Sequence, residues 1–501
     1  MKPSATVPVP LVLQMFAFLF SSRWIERWQK QWWQDHKAAP TAQASARGKR
    51  AARIKKKKKK KKNKTPSRFN RRIFSLRVTL WYLIFQRLSF DHTLAAVVRN
   101  ARDGGADRLG PRGRKLSKRL RSCKTGGYNQ ARQRIPLELL QAALDQMKLA
   151  VLRMMGLAPA PGRKPGPNER IRQLFDGSTL AVLLTPLLFG AFPPASNQVG
   201  QSDWCLIRIV VGFCVRSGAV LSAIEGAIHQ SEQALTWALM EKAAAFTIWI
   251  GDRNFGVWSV VAQAAHFKQD VVVRLTRARA NKLAGGRPLQ SGEDRCIQWE
   301  ATRRDQVPPG LKPEPVQGRL LYVRLHREGC WIDLWLFTTL EVQDYPLEML
   351  VRWYGQRWQA ELHFRSVKTQ MKMVTLEVCS PEMARKEFYA GLLACSLVRA
   401  VMWAAGERLE QGVQTLSFSQ ARRVLLESLK DWGEGLLAQC KSKQRWVRRL
   451  INEVKQETLP KRRKKRPNEP RRTRRRPTKF PTLRGSRAAA RKRAQKALKS
   501  M

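Results

Sequence analysis

The sequence predicts an α/β fold: a mixed sheet with helices on both faces, interrupted by a β-rich insertion, preceded by a small all-helical domain and flanked by basic disordered ends. Three observations predict it. Short apolar runs alternate with helical stretches after "GLAPAPGRKPGPNE", a Pro/Gly linker. A Gly- and Pro-punctuated basic segment at about 278–345 breaks that rhythm and reads as β-rich. The charge is skewed to the ends: residues 1–65 hold 18 basic and 2 acidic residues, and 461–501 hold 19 and 1.

Taken in order, residues 1–65 form a basic low-complexity extension. Its eight consecutive lysines, Lys55–Lys62, cannot pack into a core. "LVLQMFAFLF" (11–20) is about half the length of a bilayer span and continues as a helix through "RWIERWQKQWW". Residues 66–155 read as a small helical domain, DNA-contacting on its charge or else a packing module with no ligand. Ser89 or Asp91 caps its second helix, a basic Gly-rich loop follows, and one helix runs from "YNQARQRIP" to "LRMM". Residues 165–435 form the main domain. "RQLFDGSTLAVLL", "CLIRIVVGFCV", "GAVLSAIEGA", "FTIWIGD" and "QDVVVRL" are strands, with "SEQALTWALMEKAA" and "VWSVVAQAAHF" as helices between them. The insertion contributes a hairpin, "RLLYVRLH" with "CWIDLWLFTTL". Helices close the domain, and 455–501 is a basic disordered tail.

The totals narrow the function. There are 95 Lys and Arg against 37 Asp and Glu, a net charge of +58, and the core between the tails shares the excess. Such a chain repels itself unless a polyanion meets it, so nucleic acid is the first partner and an anionic membrane surface the second. Eight scattered cysteines without a CxxC pair argue against a zinc site or a disulfide framework, and fit reduced, mostly buried thiols in the cytoplasm. No membrane-spanning segment is expected.

Chemistry points to three carboxylates. Phosphodiester cleavage without a covalent intermediate is served by divalent ions held on hard oxygen ligands. Asp176 lies on the first strand of the α/β region, Asp252 at the end of a later strand, and Glu361 on a helix after the insertion. Read as one helix, "YGQRWQAELHFRSVK" puts Tyr354, Arg357, Glu361, Arg365 and Lys368 within an arc of roughly 80°. A solvated salt-bridge ladder has the same spacing. His363 lies on the opposite side, as a packing or surface residue, and Trp353 and Trp358 read as core. Arg274, Arg277 and Arg279 line a DNA channel or a solvated loop.

Tyr354, Arg357, Glu361 and Lys368 at these intervals resemble the YREK signature of bacterial DDE-type insertion-sequence transposases (insertion sequence family four), which have an RNase H-like catalytic domain. "DGSTL", "GDRNFG", "VVVRLTRAR", "SPEMARKEFYAGLLACSLVRAVM", "LSFDHTL" and "KTGGYNQARQRIP" resemble the same family, over about residues 69–430. The departure is Asn254, where the family carries a small residue, often Gly.

The resemblance implies a catalytic, metal-binding triad of Asp176, Asp252 and Glu361, holding two Mg2+ ions for which Mn2+ can substitute. It implies that Tyr354, Arg357 and Lys368 grip DNA; Arg365 joins them on geometry alone. The expected activity is cut-and-paste transposition of double-stranded DNA. The partners are terminal inverted repeats and target DNA, with a homodimer in the complex and no membrane, in the bacterial cytoplasm at the nucleoid. The alternatives are a non-catalytic DNA-binding protein derived from a transposase, and another RNase H-like nuclease.

Overall fold

The computed structural model describes residues 21–37, 73–109, 115–157, 165–197, 200–327, 330–407, 409, 412–434, 440–459 and 485–499. Helices α1 (Ser22–Lys37), α2 (Leu76–Leu88), α3 (Leu94–Arg102), α4 (Leu116–Arg119), α5 (Gly126–Arg134) and α6 (Leu137–Met154) come first. In α1, Trp28 and Trp32 stack at 6.0 Å, while Trp24 and Ile25 are buried. The expected residues 11–20 of that helix lie outside the described residues.

Two sequence expectations fail here for local reasons. The cap of α3 is Thr93, whose Oγ1 accepts from Ala96 N–H at 3.1 Å; Asp91 instead accepts from Thr93 N–H at 2.9 Å. The single helix expected after the basic loop is two. Pro136 has no N–H to donate, so α5 stops before it and α6 starts after it.

The sheet then builds from β1 (Arg172–Val182), α7 (Pro186–Ala191), β2 (Pro194–Asn197), β3 (Gly200–Cys214) and β4 (Val220–Ala227). It continues with α8 (Glu232–Glu241), β5 (Ile248–Gly251), α9 (Trp258–His266) and β6 (Asp270–Arg274). After α10 (Arg277–Leu283) come β7 (Glu293–Trp299), β8 (Val316–Arg327) and β9 (Cys330–Thr338). The order is β2-β3-β1-β5-β6-β9-β8-β7, with β4 also on β3 and β10 (Thr375–Leu376) on β1. The hairpin expected in the insertion is present. However, β9 pairs antiparallel with β6, so the insertion extends the main sheet and does not interrupt it. Its opening stretch, expected as loop, contains α10, capped by Thr276.

The segment expected as one helix from Tyr354 to Lys368 is broken. α11 (Leu347–Gly355) ends at a glycine, α12 (Gln359–Arg365) follows, and Ser366–Gln370 form a π-helical turn. Between them the N–H groups of Gln356, Arg357, Gln359, Ala360 and Glu361 each bond the carbonyl three residues back, a tighter winding than the α-helix. The break has a tertiary cause: α11 packs on β6 and α12 on β1, so the chain bends between the two.

Last come α13 (Pro381–Gly406), α14 (Phe418–Glu434), α15 (Cys440–Gln456) and α16 (Arg487–Lys499). The sequence reading missed α15, whose Trp446, Val447, Leu450, Ile451 and Val454 are buried. It also expected disorder where α16 is helical.

Two apolar layers sandwich the sheet. On one face, Leu174, Leu180, Ile207, Ile209 and Phe213 join the core formed with α2, α6 and α13–α15. On the other, Phe175, Val210, Trp249, Val271 and Phe337 pack against α8 and α9. Among the described residues, α13 is one helix long and apolar enough to cross a membrane, yet 94% of its most apolar window is buried by its own chain. Seven of the eight cysteines, all but Cys440, have described side chains, and these are free. Cys205, Cys214 and Cys395 are buried, whereas Cys123, Cys296, Cys330 and Cys379 are exposed, so the expectation of mostly buried thiols fails.

Candidate active site

The site lies along one edge of β1. β5 pairs with that edge over Arg172–Leu174 and β10 over Ala181–Val182, both parallel to it. Among the described residues no strand covers the edge between, and this opening contains Asp176 and Ser178. Splits between parallel strands are where open α/β sheets bind ligands.

β1 and β5 pair with a constant offset of 76 residues, from Arg172↔Ile248 to Leu174↔Ile250. The same offset relates Asp176 to Asp252, one residue beyond β5. Asp252 Oδ1 accepts from Asn254 N–H at 2.8 Å, and Asp176 Oδ1 from Gly177 N–H at 2.8 Å. Burial and then the negative charge of Asp252 push the Asp176 carboxyl up to about 6.

Side chains alternate along a strand, so Asp176 and Ser178 share a face, and the α11–α12 segment lies over it. The Arg357 guanidinium is 3.7 Å from Asp176 Oδ2 and donates to Glu361 Oε1 at 3.1 Å. Lys368, on the π-turn, reaches Ser178 Oγ at 3.3 Å, and burial lowers its pKa. Tyr354 is half-buried; burial raises its phenol, while Arg357 and a hydrogen bond with Arg274 oppose the rise. The structure therefore brings together six of the seven expected residues. The seventh, Arg365, is exposed and makes no hydrogen bond or ion pair with the others. His363 is buried against Phe213, and Trp353 is buried beneath Arg172. Trp358 is exposed, contrary to its reading as core.

Sequence reasoning missed Glu232, the first residue of α8. Its carboxylate lies against Gly177, where a Cβ would come within 2.1 Å of it. It accepts from Asn254 Nδ2 at 2.8 Å and sits 3.6 Å from Arg208. In the sequence Glu232 reads as an ordinary acidic residue in a helix's first turn, which conceals it.

Oxygen donors suit a hard divalent cation. The mutual repulsion expressed at Asp176 is of the kind that a bound cation relieves. Even so, among the described residues no three His, Cys, Asp or Glu side chains are gathered closely enough to hold an ion; Arg357 stands between Asp176 and Glu361.

Residues 169–397 match the transposase DDE domain family. The chain is thus similar to this family over 229 of its 501 residues. It is also similar to the Transposase InsG for insertion sequence element IS4 of Escherichia coli (strain K12), at 24% identity over 255 residues. That alignment takes in 49% of this chain and 55% of the relative, so the chain spans about half the length of the curated relative it matches. Asp176, Asp252, Glu361 and the residues around Arg357 all fall inside the matched span. Its boundaries leave out α1–α6 and α14–α16. DDE domains use divalent metal ions, which agrees with the all-oxygen donor set.

Proposed function

We propose that the protein is a metal-dependent transposase with an RNase H-like core. It cuts DNA at the terminal inverted repeats of a mobile element and joins the freed 3′-hydroxyl ends to target DNA. The observation that carries this reading is the convergence of Asp176, Asp252 and Glu361 around Arg357, in the open edge of β1 within the span that matches the DDE domain family.

The residues divide the work. Asp176 and Asp252 would hold the ions, joined by Glu361 once it leaves Arg357. Bound there, two Mg2+ ions, or Mn2+ in their place, supply an activated water or 3′-hydroxyl and neutralise the leaving oxygen. Asp176 must be ionised to serve, and its raised pKa sets the proton it gives up. Arg357, released from the carboxylates, presents a planar fork to a phosphate. Lys368 covers a neighbouring phosphate from the far side of Ser178, Tyr354 offers a phenol, and exposed Arg365 adds charge along the backbone path. Two element ends must be processed together, so the working form is a homodimer on DNA, at the nucleoid in the bacterial cytoplasm.

The test is a supercoiled plasmid carrying the gene's own genomic flanks, incubated with the protein and Mg2+. Breaks at paired inverted sequences, absent with Glu361→Gln, are expected. Tight binding without metal-dependent breaks would replace the transposase with a DNA-binding protein.

A further inference from the structure

We infer that Glu232 is a positioning residue for Asp252, acting through Asn254, and that the start of α8 is a clamp on the loop that carries this carboxylate. The inference rests on the transposase reading above and adds a residue to that site.

Asp252 lies just past the end of β5, where the ladder no longer fixes the backbone. Besides the bond from Phe255 N–H to the Asp252 carbonyl at 3.2 Å, three bonds hold the loop. Asn254 N–H donates to Asp252 Oδ1 at 2.8 Å. The Asn254 side-chain amide donates to Glu232 Oε2 at 2.8 Å. The Gln233 side-chain amide donates to the Asn254 carbonyl at 2.8 Å. Two consecutive residues of α8 thus hold both the side chain and the backbone of Asn254, and Asn254 in turn orients Asp252.

Glu232 is itself held. Ser231 caps α8, with its Oγ accepting from Ala234 N–H at 3.0 Å, which sets the direction of the first turn. Arg208, on β3, lies 3.6 Å from the other Glu232 oxygen. Gly177, next to Asp176 in the strand, leaves the room that the carboxylate fills, on the face of β1 opposite the Asp176 side chain. One side chain therefore rests on the strand of Asp176 and bonds the loop of Asp252, tying that loop to the strand. This also accounts for an asparagine at 254: a glycine there would bring no side-chain amide for Glu232 to accept from.

Partners that orient metal-binding carboxylates typically matter by about 10–100-fold. The full chain would be compared with Glu232→Ala, Glu232→Gln, Asn254→Ala and the double alanine variant. The readouts are single-turnover cleavage of the flank-bearing plasmid, affinity for the same DNA, and melting temperature. We expect both alanine variants to cut about tenfold more slowly or worse with affinity unchanged, and the double variant to be no slower than the slower single one. Glu232→Gln keeps an oxygen for Asn254 and recovers most of the lost rate.

Wild-type cutting by Glu232→Ala, additive losses, or a glutamine variant as slow as the alanine one each overturns the clamp. If the wild-type protein itself does not cut, the transposase reading fails. The clamp is then judged on melting temperatures alone, where no coupling between positions 232 and 254 overturns it.

Discussion

Arg357 donates to Glu361 Oε1 at 3.1 Å, and that bond ties the third acid of the site to a cation. The same guanidinium is 3.7 Å from Asp176, so one positive charge serves two carboxylates at once. A divalent ion entering the site competes with Arg357 for both.

Removing that competitor strengthens metal binding even as it harms catalysis. Arg357→Ala is expected to raise Mn2+ affinity of the DNA-free protein about fivefold or more, the effect of deleting a cation a few ångströms away, while slowing DNA cleavage. Titration calorimetry reads the first effect and plasmid cleavage the second. Unchanged or weaker Mn2+ binding would show that Arg357 does not guard the carboxylates.

The Asp176 acid is raised from 3.8 to about 6 in the folded protein. The fold thus favours its protonated form. That contribution is fully present below about pH 4 and is lost as pH rises through about 6. Asp176→Asn is neutral throughout, so without divalent metal its melting temperature should gain on the wild type between pH 4 and pH 7. A constant difference across that range refutes the perturbed acid.

Glu387, on α13, is 1% exposed and ion-paired with both Arg87 of α2 and Arg132 of α5. Removing one member of a buried ionic group strands the others. Glu387→Leu should therefore cost about 3–5 kcal/mol in urea unfolding and loosen the amino-terminal helices from α13. A loss below about 1 kcal/mol, the level of a surface pair, would exclude this role.

Lys55–Lys62 carry eight charges without a carboxylate among them. Replacing them with Gln should weaken binding to random duplex at low salt and flatten the dependence of log K on log salt, by up to about 0.9 for each phosphate no longer neutralised. Binding to the element's own ends at higher salt should change little. Equal weakening on both substrates would mean that the run takes part in specific recognition.

Asp176, Asp252 and Glu361 stood out as candidates through the YREK-like spacing of Tyr354, Arg357, Glu361 and Lys368 and the resemblance it carries; taken singly, each reads as an ordinary turn, cap or salt-bridge residue. The strand and helix alternation was legible in the short apolar runs. The constant β1–β5 offset was not, because register is set by long-range pairing. Nor was the break after Gly355, since Gln356, Arg357 and Trp358 all sit comfortably in helices; packing of α11 on β6 and α12 on β1 overrides that preference. Glu232 stayed hidden because its partners, Asn254, Arg208 and Gly177, are 22, 24 and 55 residues away and belong to three different segments.

The order of the chain bears on how α13 survives its own synthesis. This helix has the length and apolarity of a bilayer span, and a nascent chain that exposes such a segment invites membrane targeting or aggregation. Its packing partners α2 and α6 precede it in the chain, and its partners α14 and α15 follow it. Half of its shelter is thus translated ahead of it, so a greasy helix late in the sequence emerges to find a docking face already waiting.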